Sequence, residues 1–279
     1  MSNSLLLTCQ DKPGLIYQLT EIFNQKQINI TKLEEHVELG RFFVRVQWES
    51  REKDSKKAFQ ESLKPFSDKH KADYTLRLAK ESFKLVLFCS KPLHCLLDIL
   101  NQVQIGDLPL DLVCVISNHE EAKECVERED IPFYYVPFKQ EAREAHEEKI
   151  VSVLENYEYD AVGLARYMRV LSPFFLSKIT TPIINVHHAF LPSFKGADPY
   201  QQAFDRGVKV IGATSHIVTE DLDEGPIIYQ DVQNVNHLAS KKQLQLLGKE
   251  SEKIVFSAAL RKLAENKMIV FKGKTIVFH

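Results

Sequence analysis

The sequence predicts an α/β protein in two parts, a small α+β domain followed by a larger domain built on a mainly parallel sheet. Three observations support this fold class. A chain of 279 residues is long for a single core and suits one large domain with a smaller partner. The first part orders its patterns as strand, helix, strand, strand, helix, strand. The second part alternates strands with helices, which is typical of a parallel sheet with right-handed crossovers.

The predicted domains are residues 1–79 and 84–279, with 80–83 as a linker, because charged residues there separate two strand-like segments. In the first domain the predicted elements are a strand at 4–9, a helix starting at Leu15, strands at 28–37 and 41–49, a helix at 55–70 and a strand at 73–78. That β-α-β-β-α-β order is the order of a ferredoxin-like sandwich.

The turn between the first strand and the first helix reads Asp11-Lys12-Pro13-Gly14-Leu15. With this turn, residues 4–79 resemble the ACT domain, a small regulatory module that often binds amino acids between paired copies. The resemblance implies a regulatory ligand at Asp11, Pro13, Gly14 and Leu15, with methionine or glycine as the effector, and it implies a homo-oligomer. On turn chemistry alone Gly14 has a second explanation, because glycine also permits a tight turn without any ligand.

The second domain shows strand patterns at 84–90, 111–118, 132–138 and 159–167, separated by helical patterns at 93–103, 120–129 and 140–157. This alternation predicts a Rossmann-like domain. A long amphipathic helix at 241–265 and strands at 267–271 and 275–279 close the chain as packing elements. Open parallel sheets bind ligands beyond the carboxyl ends of their strands, so the functional site is expected at that edge.

The most informative stretch runs from Ile183 to Gly225. Its first strand, IINVHHA, loses its apolar character toward its end, where it carries Asn185 and His187. Because side chains alternate across a sheet, Asn185 and His187 are expected on one face and His188 on the other, provided that the strand remains regular as far as His188. A loop with proline and glycine, a further strand and the acidic turn TEDLDEGP follow, and this turn is expected to return Asp223 to the same space.

Four ordered motifs in this region carry a resemblance to a known family. They are Asn185-Val186-His187-His188, Leu191-Pro192-Ser193-Phe194-Lys195-Gly196, Thr214-Ser215-His216 and Asp221-Leu222-Asp223-Glu224-Gly225-Pro226. With them, the chain resembles the folate-dependent formyltransferase family over about residues 83–235. The resemblance implies that Asn185, His187 and Asp223 are catalytic. It also implies folate contacts from a further set of residues, namely Met168, Arg169, Val170, Leu171, Lys195, Gly196 and His216.

These residue types suit formyl transfer, which needs attack on a carbonyl carbon, an oxyanion and protonation of the departing amine. Asn185 can donate a hydrogen bond to the oxyanion, and His187 can support the same oxygen and shuttle a proton. Asp223 can orient His187 and accept a proton from water. Taken singly, each has a plainer explanation, as a cap, a structural imidazole or one charge of a solvated turn. A metal site from His187, His216 and Asp223 lacks compact ligand spacing, and no metal is predicted.

The turn after the first strand of the second domain reads Cys89-Ser90-Lys91-Pro92-Leu93-His94-Cys95 and contains no glycine. Phosphate cradles use exposed backbone amides, usually of glycines, and proline removes one such donor. A nicotinamide cofactor and a phosphorylated substrate are therefore disfavoured at this turn, although Ser90 and Lys91 remain able to hold one phosphate. No tightly bound cofactor is predicted.

Within the family, the glycine-free turn and the ACT-like part together are similar to the branch that uses water as the acceptor. That resemblance implies hydrolysis of 10-formyltetrahydrofolate to tetrahydrofolate and formate, which supplies formate for purine synthesis and balances the one-carbon folate pool. Two alternatives stay open. One is a formyltransferase acting on an amine such as glycinamide ribonucleotide, and the other is a folate or amino-acid sensor without catalysis.

Composition limits the partners. With 36 basic and 38 acidic residues the net charge is -2, so neither nucleic acid nor an anionic membrane surface is an expected partner. The five cysteines show no CxxC spacing, which favours reduced thiols in a cytosolic protein. The first ten residues lack a basic region, and their apolar run is too short for a signal peptide or a membrane span. A cytoplasmic location is expected.

Overall fold

The chain divides into two compact units. A computed structural model describes residues 2–50, 55–139, 143–193 and 199–279. The first unit contains the residues up to Ser82 together with 262–269 and 276–279, and the second contains 83–261 and 270–275. The predicted second domain, 84–279, therefore differs from the second unit at its end, because two C-terminal segments pack with the N-terminal residues.

The first unit is a four-stranded antiparallel sheet with two helices. Its elements are β1 Asn3–Gln10, α1 Leu15–Gln25, β2 Ile30–Glu38, β3 Arg41–Trp48, α2 Lys56–His70 and β4 Asp73–Arg77. The strand order is β2-β3-β1-β4, with each neighbouring pair antiparallel. Aromatic side chains fill the centre, where the ring of Trp48 stacks on Phe59 at 5.0 Å and meets the edge of Phe23 at 5.2 Å. This is the predicted β-α-β-β-α-β order of a ferredoxin-like sandwich.

A buried arginine explains why the C-terminal segments join the first unit. Arg45 on β3 is 2% exposed, and its Nε donates to the backbone oxygen of Asn266 at 2.8 Å while Nη2 donates to that of Glu265 at 2.9 Å. The Asn266 side chain in turn donates to the backbone oxygen of Thr75 at 3.1 Å. Backbone carbonyls near the end of a helix lack intrahelical partners, and here the guanidinium supplies them. No periodicity in the sequence reports such a contact.

The second unit is built on a seven-stranded sheet. The elements of this part of the chain are β5 Phe83–Cys89, α3 His94–Gln104, β6 Leu110–Ser117, α4 Lys123–Glu127, β7 Phe133–Tyr135, α5 Arg143–Leu154, β8 Ala161–Ala165, α6 Pro173–Lys178, β9 Ile183–His187, α7 Pro199–Asp205, β10 Val210–Ile217 and β11 Ile227–Asn234. The chain then forms α8 Lys241–Ala264, β12 Met268–Phe271 and β13 Lys274–Val277. None of the helices in the described ranges is both long enough and apolar enough to cross a membrane.

The strand order of this sheet is β11-β10-β9-β8-β5-β6-β7. The five strands from β9 to β7 run parallel, whereas β10 runs antiparallel to both β9 and β11. The predicted mainly parallel, Rossmann-like sheet is therefore confirmed. The parallel strands β5, β8 and β9 are neighbours, so the residues that directly follow them lie along one edge, where open α/β sheets place their ligand sites.

Candidate active site

Asn185 and His187 lie on β9, inside the sheet between β8 and β10. The antiparallel register with β10 places His187 opposite Thr214 and Asn185 opposite His216. His187 is only 5% exposed. The two residues are separated by one position on a regular strand, so their side chains share a face as predicted.

A strained turn after β10 carries the carboxylate to the same place. Asp223 has a left-handed backbone with φ 57°, which aspartate tolerates better than most residues. Two residues later, a Cβ added to Gly225 would lie 1.8 Å from the backbone oxygen of Ile217, so only glycine fits against β10 here. The backbone N–H of Ile217 donates to the oxygen of Pro226 at 2.9 Å and fixes the return of the turn.

The carboxylate of Asp223 meets two imidazoles. Its Oδ2 lies 3.3 Å from Nδ1 of His187, and its Oδ1 lies 3.6 Å from Nε2 of His216. The amide nitrogen of Asn185 lies 3.2 Å from the same Nε2 of His216. The remaining ring nitrogen of His187, Nε2, is buried and has no hydrogen-bond partner among the described residues. The site therefore presents one orientated imidazole with a free nitrogen.

The hydrogen bonds assign most of the protons. Nδ1 of His216 lies 2.9 Å from the backbone oxygen of Ile217, which can only accept, so this nitrogen carries a hydrogen. Nε2 of His216 accepts from the Asn185 amide when it carries no hydrogen, and it donates to Asp223 when it carries one. Burial opposes the ionised form of Asp223, but hydrogen bonds from His187 and His216 outweigh it and hold the pKa of this carboxyl well below its usual value.

His188 lines the same cavity as His187, and the condition on which it was expected on the opposite face is not met. The expectation required a regular strand through residue 188, but β9 ends at His187 and the chain bends directly afterwards. The two rings are 5.1 Å apart between centroids. Burial, with a contribution from the nearby Arg166, lowers the pKa of His188 to about 4, so this ring is neutral at pH 7.

A cavity of about 360 Å³ opens in front of these groups. Its lining combines the polar cluster with an apolar wall: Leu164, Arg166, Tyr167, Met168, Arg169, Val170, Leu171, Asn185, Val186, His187, His188, His216, Val218, Thr219, Glu220, Asp221, Leu222 and Asp223. The three predicted catalytic residues and five of the predicted folate contacts, Met168 to Leu171 and His216, are therefore brought together. The other two, Lys195 and Gly196, lie outside the described residues.

Contacts from neighbouring elements fix the loop that follows β8. The backbone N–H of Met168 donates to Oγ of Ser90 at 3.1 Å, and the hydroxyl of Tyr167 lies 2.8 Å from Nε2 of His146. The guanidinium of Arg169, one of the predicted folate contacts, lies over the ring of Phe138 at 4.2 Å from its centroid. Met168 and Val170 are nevertheless about half exposed, so their apolar side chains remain open to the cavity.

Two charged residues near the site were not singled out from the sequence. Arg166 directly follows β8 in a left-handed conformation with φ 60°, and it lines the cavity. Its Nε lies 3.3 Å from Oε2 of Glu252 on α8. Glu252 is 1% exposed although it stands in the stretch GKESEK, whose composition is that of a solvated helix face. A positive φ and a buried carboxylate leave no signal in a single sequence.

One group of side chains in the described ranges has the spacing of a metal site. Potential ligand atoms of His94, Cys95 and Glu252 lie within 4.8 Å of one another. His94 and Glu252 are, however, bonded to each other at 2.8 Å, and the guanidinium of Arg166 already neutralises the carboxylate. Burial, assisted by Glu252, raises the pKa of the Cys95 thiol, which favours the thiol over the thiolate that metals bind. The donor set therefore does not suit a cation.

In the first unit, Gly14 has φ 86° and precedes the first residue of α1. Most residues adopt this left-handed conformation only with strain, so the turn alone accounts for glycine here. Leu15 is buried, whereas Asp11 and Pro13 are exposed. A regulatory ligand at these four residues stays a prediction.

Comparison with known proteins decides the family. The family model described as formyl transferase matches residues 83–260. A Bacillus subtilis protein named formyltetrahydrofolate deformylase is 41% identical over 99% of this chain and 93% of its own length. The chain belongs to the formyltetrahydrofolate deformylase family. The family predicted from the four motifs is thereby confirmed.

Solved structures agree with the deformylase family. The crystal structure of a formyltetrahydrofolate deformylase from Pseudomonas syringae superposes with a TM-score of 0.96 at 36% identity, over 100% of this chain and 94% of that one. A glycinamide ribonucleotide transformylase from Symbiobacterium toebii gives a TM-score of 0.67 at 27% identity, over 74% of this chain and 98% of that one. The deformylase neighbour thus spans both units, whereas the transformylase corresponds to about three quarters of the chain.

Proposed function

We propose that this chain hydrolyses 10-formyltetrahydrofolate to tetrahydrofolate and formate, as expected of a hydrolase of the deformylase family. The observation that carries the proposal is the convergence of an amide, an imidazole and a carboxylate on one cavity. Asn185 and His187 reach it from the end of β9, and Asp223 reaches it from the turn after β10, 3.3 Å from His187.

The geometry assigns a role to each group. The free Nε2 of His187 is the position that can take the proton from the attacking water and deliver it to the departing N10. Asp223 holds the other nitrogen, so it fixes the ring and favours the imidazolium that forms when His187 takes a proton. The lowered pKa of Asp223 makes its carboxylate a weak base, which favours this electrostatic role over direct removal of a proton from water. Asn185 donates its amide hydrogen to the developing oxyanion.

The apolar wall of the cavity suits the substrate's flat ring system. Met168, Val170, Leu171 and Leu222 are among the residues that supply that wall. A cavity of about 360 Å³ is at the lower end of the range of small-molecule sites, which are mostly apolar with a few orienting polar groups. The pterin of the folate would lie against this wall, with the formyl group at the polar end.

Water is favoured over an amine acceptor by the turn after β5. The Oγ of Ser90 donates to Oδ1 of Asn118 at 2.7 Å and accepts from the N–H of Met168, so this hydroxyl is occupied. Lys91 pairs with Glu121 at 3.3 Å. A phosphorylated acceptor would therefore find no glycine cradle at this turn, and the Ser90 hydroxyl is already engaged. These contacts support hydrolysis over transfer to glycinamide ribonucleotide.

An acceptor-free assay tests the proposal. Purified protein is mixed with 10-formyltetrahydrofolate and no amine, and formate and tetrahydrofolate are followed together. Equal amounts of both products are expected. Turnover that starts only when glycinamide ribonucleotide is added would show a transferase, and tight folate binding without turnover would show a sensor.

For residues 1–79 we propose an ACT regulatory domain that binds an amino acid near Asp11, Pro13, Gly14 and Leu15, in a cytoplasmic homo-oligomer. The ferredoxin-like order and the Gly14 turn support this proposal. In this setting the enzyme would supply formate to purine synthesis and balance the folate pool without a tightly bound cofactor. Calorimetry with methionine and with glycine tests the effector, since absence of heat and an unchanged rate with both would remove it.

A further inference from the structure

A buried carboxylate connects three strand ends beside the cavity. His94 follows β5, Arg166 follows β8 and His188 follows β9, and these three strands are neighbours in the sheet. Glu252, on α8, is hydrogen-bonded to one of these residues and forms an ion pair with another. Its Oε2 accepts from Nε2 of His94 at 2.8 Å and lies 3.3 Å from Nε of Arg166.

A tyrosine on α7 connects Glu252 to the third strand end. The hydroxyl of Tyr200 donates to Oε1 of Glu252 at 2.7 Å. The ring of Tyr200 lies 6.0 Å from the ring of His188, which in turn lies 5.1 Å from the ring of His187. A continuous chain of contacts therefore runs from Glu252 to the imidazole assigned to proton transfer.

Gly248 on α8 leaves the space that the hydroxyl of Tyr200 occupies when it reaches Glu252. Glycine destabilises a helix interior relative to alanine, so its presence one turn before Glu252 needs a reason. A Cβ added there would lie 1.9 Å from the hydroxyl oxygen of Tyr200. Only glycine lets Tyr200 reach the carboxylate.

Glu252 and Arg166 carry opposite charges 3.3 Å apart. Burial opposes ionisation of Glu252, but the hydrogen bond from His94 and the positive charge of Arg166 outweigh it and hold the pKa of this carboxyl below its usual value. The ionised carboxylate therefore neutralises the guanidinium of Arg166, which lines the cavity. Without it, a net positive charge would face the site in which His187 has to become an imidazolium, and like charges oppose each other strongly where water is excluded.

We propose that Glu252 is a positioning residue of the active site, which acts through Arg166 and through Tyr200 and His188 to hold the cavity wall beside His187 neutral and rigid. This inference rests on the proposed hydrolysis. It assigns Glu252 to the chemical step rather than to folate binding, because Glu252 does not itself line the cavity.

The test compares Glu252→Gln and Tyr200→Phe with a control, Glu250→Gln, which alters a half-exposed carboxylate on the same helix. In the acceptor-free assay on folded protein, kcat is expected to fall by about 10- to 100-fold for Glu252→Gln. For Tyr200→Phe, which removes one hydrogen bond and keeps the ring, the expected fall is about 5- to 10-fold. KM should stay within about threefold for both, and the control should match the wild type.

Melting curves separate a positioning role from a structural one. If Glu252 only supports the fold, the variants lose thermal stability while the kcat of the folded enzyme stays at the control value, and the inference is overturned. A rise in KM with unchanged kcat also overturns it. A wild-type protein that makes no formate without an amine would instead refute the proposed hydrolysis, so the two failures are distinguishable.

Discussion

Replacing Asp223 by asparagine removes one charge and changes little else. The two side chains have the same shape, and asparagine shares the tolerance of aspartate for the left-handed backbone at φ 57°. The turn is therefore expected to keep its form. What disappears is the negative charge 3.3 Å from Nδ1 of His187.

The size of the effect follows from that distance. Unit charges 3.3 Å apart interact by about 5 kcal/mol at an effective dielectric constant of about 20, which is an upper bound because the side chain is partly solvated. Assistance by a positioned acid or base is typically worth about 100- to 10,000-fold, or roughly 3–5 kcal/mol of barrier. We therefore expect kcat to fall by about 1000-fold, with KM changed far less.

The measurement is kcat and KM for acceptor-free formate release by Asp223→Asn, with a circular-dichroism spectrum to verify folding. The matched control is Glu224→Gln, a charge-neutralising change at the next residue, which is exposed and does not line the cavity. A folded Asp223→Asn protein with kcat within threefold of the control would refute the role assigned to the carboxylate. A non-catalytic sensor would instead keep its ligand binding in the Asp223→Asn variant.

Three further changes test other parts of the account. His188→Gln should reduce the loss of folding stability in acid, because burial lowers the pKa of His188 to about 4 in the folded protein. The stability that His188 contributes above its unfolded pKa of about 6.5 is lost as pH falls toward 4, by on the order of 1–2 kcal/mol at pH 5. The melting temperatures of the variant at pH 7 and pH 5 should therefore lie closer together than those of the wild type. Gly225→Ala should lower the free energy of unfolding in urea by roughly 2–4 kcal/mol and should lower kcat, because the added Cβ would lie 1.8 Å from the Ile217 backbone oxygen. An unchanged unfolding free energy and an unchanged kcat would contradict this packing. Gly14→Ala should destabilise by about 1–2 kcal/mol and Gly14→Asn by less, because asparagine accepts φ 86° more readily; equal losses would point to a reason other than backbone conformation.

The candidate catalytic cluster was predictable because local sequence patterns mark its residues. Asn185 and His187 stand at the end of an apolar strand, and Asp223 stands in a turn marked by Gly225 and Pro226. The place of His188 was not predictable, since the strand ends one residue before it and no pattern marks a bend at that position. Tertiary packing determines where β9 ends and therefore where the His188 side chain lies.

The elements that the patterns did not predict are short or lie at an edge. Helix α6 has six residues, too few for an apolar period, and β11 lies at the edge of the sheet with a mostly exposed face. Glu252 was missed for a different reason. Its burial depends on a tyrosine about fifty positions earlier and on an arginine further still, and only coordinates bring such partners together.

The most direct test of the central claim, that this cavity directs water onto the formyl carbon, is acceptor-free turnover in isotopically labelled water. Attack by water should give equal amounts of tetrahydrofolate and formate, with one labelled oxygen atom in each formate molecule, at a rate far above that without enzyme. Formation of products only with an added amine, or formate without the label, would contradict it.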